Sequence, residues 1–482
     1  QVVFMNVAAT GHMNPTLPLV KELTARGCAV TYFVEDTMRE VVEAAGAAWR
    51  PLRYPDSDFT GTLKTLDAAG IAKYVPEGTP AKDYEDLPMP LLLPYTAERV
   101  LPALLEDLRA LKPAPSLIVH DPFIAFALVA GHVLDVPTIS FLTMPGPGAF
   151  IRPDFVVDAQ EAAPWVEGPR RAIQQGYGFD IFEKGIVMEH YSPLMTLVTT
   201  AKELFAPPVS SRQLQRFGSA PFRCIGPLID ASVQRLRNSN IGHKAAEATD
   251  ALQVPTDFKS GSLPWAYIDE QIAIGRKLVF VSLGTIVTAS RWNITFGDFA
   301  RSNGLADLKG REFCQHVWRV CYEALGGDDR FLVVMSLGSM PDALDGLPDV
   351  PENFILRDAV PQMELLPRCS AFLTHGGANR MHEALWFGLP LAVVPVFGDQ
   401  PTNAATVERC GAGVSFEQPM STLTVEALRD TIASLVLDGE GNSYRKSAME
   451  MSEKLGNAGG IPAAVGIIME KAWTAPVHWA GA

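Results

Sequence analysis

The chain has 482 residues, with 54 acidic against 40 basic side chains, a net charge of −14 and 48% hydrophobic residues. That length predicts two or three domains with sizeable cores, and the composition is that of an ordinary globular protein. The acidic balance, with no basic block, argues against a nucleic-acid or anionic-membrane partner. The six cysteines (28, 224, 314, 321, 369 and 410) are scattered without a Cys-x-x-Cys pair. They read as small core residues in a reducing compartment, not as a zinc site or a disulfide framework. The most apolar tract, residues 117–144, is broken by His120, Asp121, His132 and Asp135, so no membrane span is expected.

In chain order, VVFMNVAATGHMNPTLPLVKELTARGCAVTYFVED reads as a buried strand, a glycine-containing turn, an amphipathic helix and a second strand over 29–34. This is how a parallel α/β sheet begins. The turn carries Gly11-His12-Met13-Asn14-Pro15 and no Gly-x-Gly-x-x-Gly fingerprint of dinucleotide binding. A histidine at the C-terminal end of a first parallel strand lies where such sheets bind ligands, although a lone histidine is more often an ordinary turn residue. Residues 51–94, rich in Pro, Gly and Asp, predict loops and short helices. Residues 91–111 predict a helix with Leu101, Leu104, Leu105 and Leu108 on one stripe. A buried strand over 115–121 ends in His120-Asp121, a helix spans 124–134 and a strand 138–141. Asp121 precedes Pro122, which also suits a helix N-cap, and His120 reads as a strand-end residue without a role. Residues 144–191 hold Phe150, Phe155, Trp165, Tyr177, Phe179 and Phe182 with little periodicity, and any single one of these reads as plain core. A strand over 222–226 closes this part, and the polar stretch that follows reads as a linker.

The second half starts near Leu263, and a strand from Lys277 runs into a Ser282/Gly284/Thr285 turn. A helix over 313–326 and strands over 331–336 and 353–356 follow. Residues 357–403 are the most informative block. A strand over 371–374 meets the His375-Gly376-Gly377 turn, and a helix over 379–387 follows. A helix N-terminus offers unpaired N–H groups and partial positive charge, so this turn suits an anion. Glycines let a phosphate approach, and His375 can add a hydrogen bond or a charge. Glu383 on the same helix can accept bonds from a ribose diol, and Asp399-Gln400 offers acceptors and donors suited to sugar hydroxyls. Further helices are expected over 404–411, 424–437, 444–455 and 461–474.

The block resembles the donor-binding signature of the UDP-sugar-dependent glycosyltransferases that act on small molecules, including the plant secondary-product and bacterial macrolide enzymes. The resemblance is carried by Pro361-Gln362, His375, Gly377, Asn379, Glu383, Gly388-Leu389-Pro390, Pro395 and Asp399-Gln400. Gly11-His12-x-x-Pro15 matches the setting of that family's catalytic base, and Asp121 stands where the family has the carboxylate bonded to it. Two departures stand out. Ala359 takes the place of a tryptophan that stacks on uracil, and Arg380 that of a serine in plant members.

The resemblance implies the GT-B architecture, two Rossmann-like domains with parallel sheets facing across a cleft. It implies an acceptor domain over 1–230, a linker over 231–262, a donor domain over 263–455 and a closing helical segment over 456–482 that packs back on the first domain. It further implies inverting transfer of a hexose, glucose first, from a UDP-sugar to a hydroxyl of a small hydrophobic acceptor such as a phenol, flavonoid, sterol or macrolide. His12 would act as base and Asp121 as its partner. The donor would meet Ser282, Gly284, Thr285, Val360, Gln362, His375, Gly377, Ala378, Asn379, Arg380, Glu383, Asp399 and Gln400. Met144, Phe150, Phe155, Trp165 and Phe182 would line the acceptor pocket. The chain reads as lacking an Asp-x-Asp motif, and the expectation is a metal-independent, cofactor-free, cytosolic monomer with the UDP-sugar as co-substrate. A UDP-sugar epimerase or hydrolase, or a silent nucleotide-sugar binder, are the rival readings.

Overall fold

The computed structural model describes residues 1–53, 89–230, 263–436 and 442–474. The expected linker, and most of the loop-rich stretch before residue 89, lie outside the described residues. The chain divides into two compact units, residues 1–244 with 457–482 and residues 245–456.

The first unit is built on seven parallel strands: β1 (Val2–Met5), β2 (Val30–Phe33), β3 (Ala48–Arg50), β4 (Leu117–His120), β5 (Thr138–Leu142), β6 (Thr196–Val198) and β7 (Phe222–Cys224). Their order is β3-β2-β1-β4-β5-β6-β7. Parallel strands covered on both faces must be apolar nearly throughout, and VVFM, VTYF, LIVH and TISFL are buried at every position. Chain progression reverses beside β1, which has β2 on one side and β4 on the other. Met5 lies opposite both Phe33 and His120, so these three strands end level. The segments leaving β1 and β4 therefore emerge side by side, where open α/β sheets bind ligands. The last helix, Gly460–Thr474, belongs to this unit. Its Ala464, Val465 and Ile468 are buried in one cluster with Leu17, Val20 and Leu23, and Gly460 N–H donates to Ile225 C=O at 2.6 Å.

The second unit has six parallel strands: β8 (Lys277–Ser282), β9 (Phe331–Ser336), β10 (Phe354–Arg357), β11 (Ala371–Thr374), β12 (Leu391–Val393) and β13 (Gly413–Ser415). Their order, β10-β9-β8-β11-β12-β13, is that of the six-stranded dinucleotide-binding sheet. The reversal falls between β8 and β11, where Ser282 lies opposite Thr374. Trp292 and Trp318, both fully buried with ring centroids 6.0 Å apart, anchor one side of this core.

Two features differ from the sequence reading. Residues 144–191 contain two helices, Asp154–Ala162 and Pro164–Tyr177. The second carries Gly168, Pro169 and Gly176, poor helix formers that mask the buried positions Val166, Pro169 and Ile173. The strands β6 and β13 are three residues each, too short to show a pattern.

The closing helix supplies a stability test. Ile468 is fully buried, so Ile468→Ala removes methyl and methylene contacts at a cost of about 2–5 kcal/mol. Urea unfolding followed by far-UV circular dichroism checks this; an unchanged midpoint would show that the helix contributes nothing to the first core.

Candidate functional site

In the first unit, β1 ends at Met5 and the chain runs through Asn6 to a single helical turn, Thr10–Met13, that carries His12. Asp121 follows β4 directly, and its N–H donates to Met5 C=O at 3.0 Å, extending the ladder by one bond. His12 Nδ1 lies 2.5 Å from Asp121 Oδ2. The carboxylate is almost fully buried, whereas the imidazole keeps about 20% of its surface. A carboxylate accepts, so Nδ1 carries the proton and Nε2 holds the lone pair of the neutral ring. Asp121 Oδ1 accepts from Phe123 N–H at 2.8 Å, and the Phe123 ring packs 4.7 Å from that of His12. The next helix begins at Phe126 with Ala125 as its cap, so Asp121 does not cap it. Asn6 supports the other partner: its Nδ2 donates to His12 C=O at 3.0 Å and to the buried Tyr32 hydroxyl at 3.1 Å.

In the second unit, the turn after β8 and the turn after β11 meet around His375. Gly284 has φ +84°, and a Cβ there would fall 2.5 Å from the imidazole Cε1. A Cβ at Gly377 would fall 2.7 Å from Nε2, so two glycines flank the ring and neither position has room for a side chain. Burial, with Arg380 as the lesser cause, holds the His375 pKa well below the usual histidine range. Desolvation thus favours the neutral ring, which offers a hydrogen bond, over the charged form.

The helix after this turn is Ala378–Trp386, and no side chain of its cap residue Gly377 bonds its first turn. Asp399 does so from a distance. Its Oδ2 accepts from Ala378 N–H at 3.0 Å and from Asn403 Nδ2 at 2.7 Å, and Asn403 Nδ2 also reaches Gly376 C=O at 2.8 Å. Gln400 is buried, and its Oε1 accepts from the N–H groups of Val396 (2.9 Å) and Phe397 (3.2 Å). The pair expected to face sugar hydroxyls thus spends side-chain oxygens on its own loop and on the helix tip. Glu383 is buried on the same helix and accepts from Gln362 Nε2, so the two residues expected at the base and ribose are joined. Ser282 is buried at the end of β8, and Thr285 caps a π-helical turn, Ile286–Ser290. Asn379, Arg380 and Val360 are half-buried and Ala359 is exposed.

The residues expected to line an acceptor pocket do not share one environment. Phe182 is core: it is 2% exposed, stacked on His190 at 5.9 Å and covered by the Arg170 guanidinium at 5.5 Å. Phe150 is buried under Arg152. Met144 is half-buried against the cluster that holds Leu142 and Val198. Phe155 is 74% exposed. Trp165 lies on the helix Pro164–Tyr177, its side chain outside the described residues.

Asn6, Asn403 and Asn303, whose Nδ2 donates to Pro395 C=O (3.3 Å) and Val396 C=O (3.1 Å), were not singled out from the sequence. The one available signal was Asn403 four residues after Asp399, which places both on one helix face. Among the described residues no three His, Cys, Asp or Glu side chains gather to hold a metal, and no helix is long and apolar enough to cross a membrane. Contrary to the sequence reading, one Asp-x-Asp triplet does occur, Asp56-Ser57-Asp58, and it lies outside the described residues.

Residues 327–455 match the family model described as UDP-glucoronosyl and UDP-glucosyl transferase. That span holds His375, Glu383 and Asp399. Over these residues the chain is similar to the UDP-glycosyltransferase family. It is 24% identical over 97% of its length, and 96% of the other chain, to the uncharacterized UDP-glucosyltransferase YojK of Bacillus subtilis. It is 26% identical to the oleandomycin glycosyltransferase of Streptomyces antibioticus, over 94% of this chain and 88% of that one. In fold it is similar to the crystal structure of the kitacinnamycin glycosyltransferase, with a TM-score of 0.64 at 20% identity over 98% of each chain. The chain has the same class of architecture, two Rossmann-like units with parallel sheets.

The buried histidines set an acid limit on stability. Burial pushes His120 and His382 down to about 4 and His190 to about 3. These folded-state values lie below the unfolded value of about 6.5, so the unfolded chain binds protons that the native state refuses. Stability is complete above that unfolded value and falls as pH drops below it. Urea unfolding at pH 7, 6 and 5 will show this loss, and His382→Gln will flatten the slope at pH 5 by about 1.4 kcal/mol per pH unit. An equal slope in the variant would mean that His382 is protonated in the native protein.

Proposed function

We propose that this glycosyltransferase moves a hexose, glucose in the first instance, from a UDP-sugar to a hydroxyl of a small hydrophobic acceptor. Transfer proceeds with inversion and without a metal. The observation that carries the reading is the His12–Asp121 pair at the strand-order reversal of the first sheet. His12 Nε2 takes the acceptor proton while the acceptor oxygen attacks the anomeric carbon and the bond to the diphosphate breaks. One displacement inverts the centre. The buried Asp121 carboxylate stabilises the imidazolium and fixes the tautomer.

The leaving diphosphate carries growing negative charge, which the second unit is built to meet. Neutral His375, the N–H groups at the start of the helix Ala378–Trp386, Arg380 and Thr285 are its partners. Ala378 N–H is held by Asp399, which leaves the task to Asn379 and Arg380. Glu383 with Gln362 would hold the ribose, and the Asp399-Gln400 segment would meet the sugar. Ala359 offers no ring to stack on a base, so a thymidine diphosphate sugar is a second donor to test. Phenols, flavonoids, sterols and macrolides are the acceptors to offer, and likeness to the oleandomycin enzyme puts oleandomycin among them. No membrane-crossing helix among the described residues is compatible with a cytosolic site of action.

Incubation with UDP-glucose or dTDP-glucose and an acceptor panel tests the proposal. The expected product is a glycoside of the opposite anomeric configuration to the donor, formed equally in EDTA. His12→Ala should lower kcat by about 10²–10⁴ and leave donor binding intact. Donor epimerised or hydrolysed without an acceptor would replace the proposal with an epimerase or hydrolase, and donor bound but unaltered would leave a binder.

A further inference from the structure

We infer that His120 is a positioning residue: it fixes Asp121 through the aspartate's own carbonyl and so aims the carboxylate at His12. The inference rests on the His12–Asp121 reading above and assigns a role to a residue that contacts neither substrate nor sugar.

His120 is the last residue of β4, in register with Met5 on β1 and Ser140 on β5, and is 1% exposed. Its Nδ1 lies 3.0 Å from Asp121 C=O and its Nε2 lies 3.1 Å from Ser140 Oγ. A carbonyl can only accept, so Nδ1 carries the proton, Nε2 accepts, and the Ser140 hydroxyl donates. Ser140 Oγ in turn accepts from Ser192 N–H at 2.6 Å. Every donor in the series Ser192, Ser140, His120, Asp121 thus points the same way, and the tautomer of His120 is determined by its neighbours.

The consequence falls on Asp121. Its N–H is held by Met5 C=O at 3.0 Å, and its C=O takes both His120 Nδ1–H and Ile124 N–H (3.2 Å). The next carbonyl, that of Pro122, accepts from His190 N–H at 2.8 Å. The peptide groups on both sides of the Asp121 Cα are therefore immobilised, and only the carboxylate torsions remain for Phe123 N–H and His12 to set. A leucine could fill the same space but could not bond the carbonyl. A cation there would compete with His12 for the carboxylate, and burial prevents one from forming. Burying a polar ring is costly unless both nitrogens are paired, and here both are.

Three substitutions separate positioning from packing. His120→Asn keeps a donor near the Nδ1 position, His120→Gln keeps an acceptor near Nε2 without that donor, and His120→Leu keeps neither. With UDP-glucose and the panel acceptor turned over fastest, Gln and Leu should lower kcat by about 10–100-fold at unchanged donor KM, and Asn should recover most of the loss. A downfield proton spectrum of the full chain reads the same geometry without an acceptor. The His12 Nδ1–H resonance should persist in His120→Asn, shift or broaden in His120→Gln, and vanish in His12→Ala. Equal behaviour of Asn and Gln, or a lower Tm with kcat and the resonance unaltered, would reduce His120 to packing. If His120→Leu fails to fold, the Asn–Gln comparison still decides. Full transfer by His12→Ala would overturn the base reading and this inference with it, whereas a dead His12→Ala beside a fully active His120→Gln would overturn this inference alone.

Discussion

Strand-order reversal beside the first strand of each sheet is the constraint on which the rest depends. In the first unit β1 sits between β2 and β4, and in the second β8 sits between β9 and β11. Helices crossing to opposite faces on either side of such a strand leave the ends of two neighbouring strands uncovered. Because β1 and β4 finish level, the residues just beyond them need reach only one hydrogen bond to meet, and His12 and Asp121 do so. The same geometry brings Gly284, beyond β8, against His375, beyond β11. One topological device, used twice, builds both the His12–Asp121 pair and the glycine-flanked His375 turn.

The two histidines show how environment divides the labour. His12 is partly exposed and bonded to a carboxylate, the setting that stabilises the protonated ring after it has taken a proton. His375 has no carboxylate bonded to it among the hydrogen bonds seen, lies between two glycines and is desolvated to neutrality. Desolvation favours the neutral, hydrogen-bonding ring over the charged one. Under the proposed reaction, charge relief at the leaving group would fall to the helix start and to Arg380, which stands half-buried in the first helical turn. In a site with a neutral imidazole, an arginine at this position adds the positive charge that the histidine lacks.

What was legible in the sequence was what depends on local pattern. The strands β1, β4, β8 and β11 are apolar except at end positions such as Lys277, Ser282, His120 and Thr374, and each runs into a polar or glycine-rich turn, so position and chemistry were readable together. The spacing from His375 to Glu383 fixed one helix, which begins at Ala378, one residue earlier than its sequence suggested. Long-range bonding was not legible. Nothing near Asp399 announces that its carboxylate serves the N–H of Ala378, twenty-one residues upstream. Likewise nothing local distinguishes Phe182, sealed under Arg170, from Phe155 in solvent. Side chains of equal hydrophobicity are sorted by which helices happen to cover them, and the poor helix formers between 164 and 177 left that cover unseen.

Asp399 also changes how substitutions in the donor block have to be read. Its carboxylate sits at the start of the helix whose amides would face the diphosphate, and through Asn403 it fixes Gly376 C=O in the adjoining turn. Gln400 holds the Val396 and Phe397 amides, and Asn303 holds the carbonyls of Pro395 and Val396 from the other side. The loop that would recognise the sugar and the turn that would hold the phosphates are therefore one hydrogen-bonded body. Removing an oxygen at 399 or 400 leaves buried N–H groups unpaired and displaces the phosphate cradle, a cost of about 1–3 kcal/mol for each orphaned group. A loss of activity there reports a disturbed cradle before it reports a lost sugar contact. Sugar preference can change without that penalty only at neighbouring positions that hold no backbone.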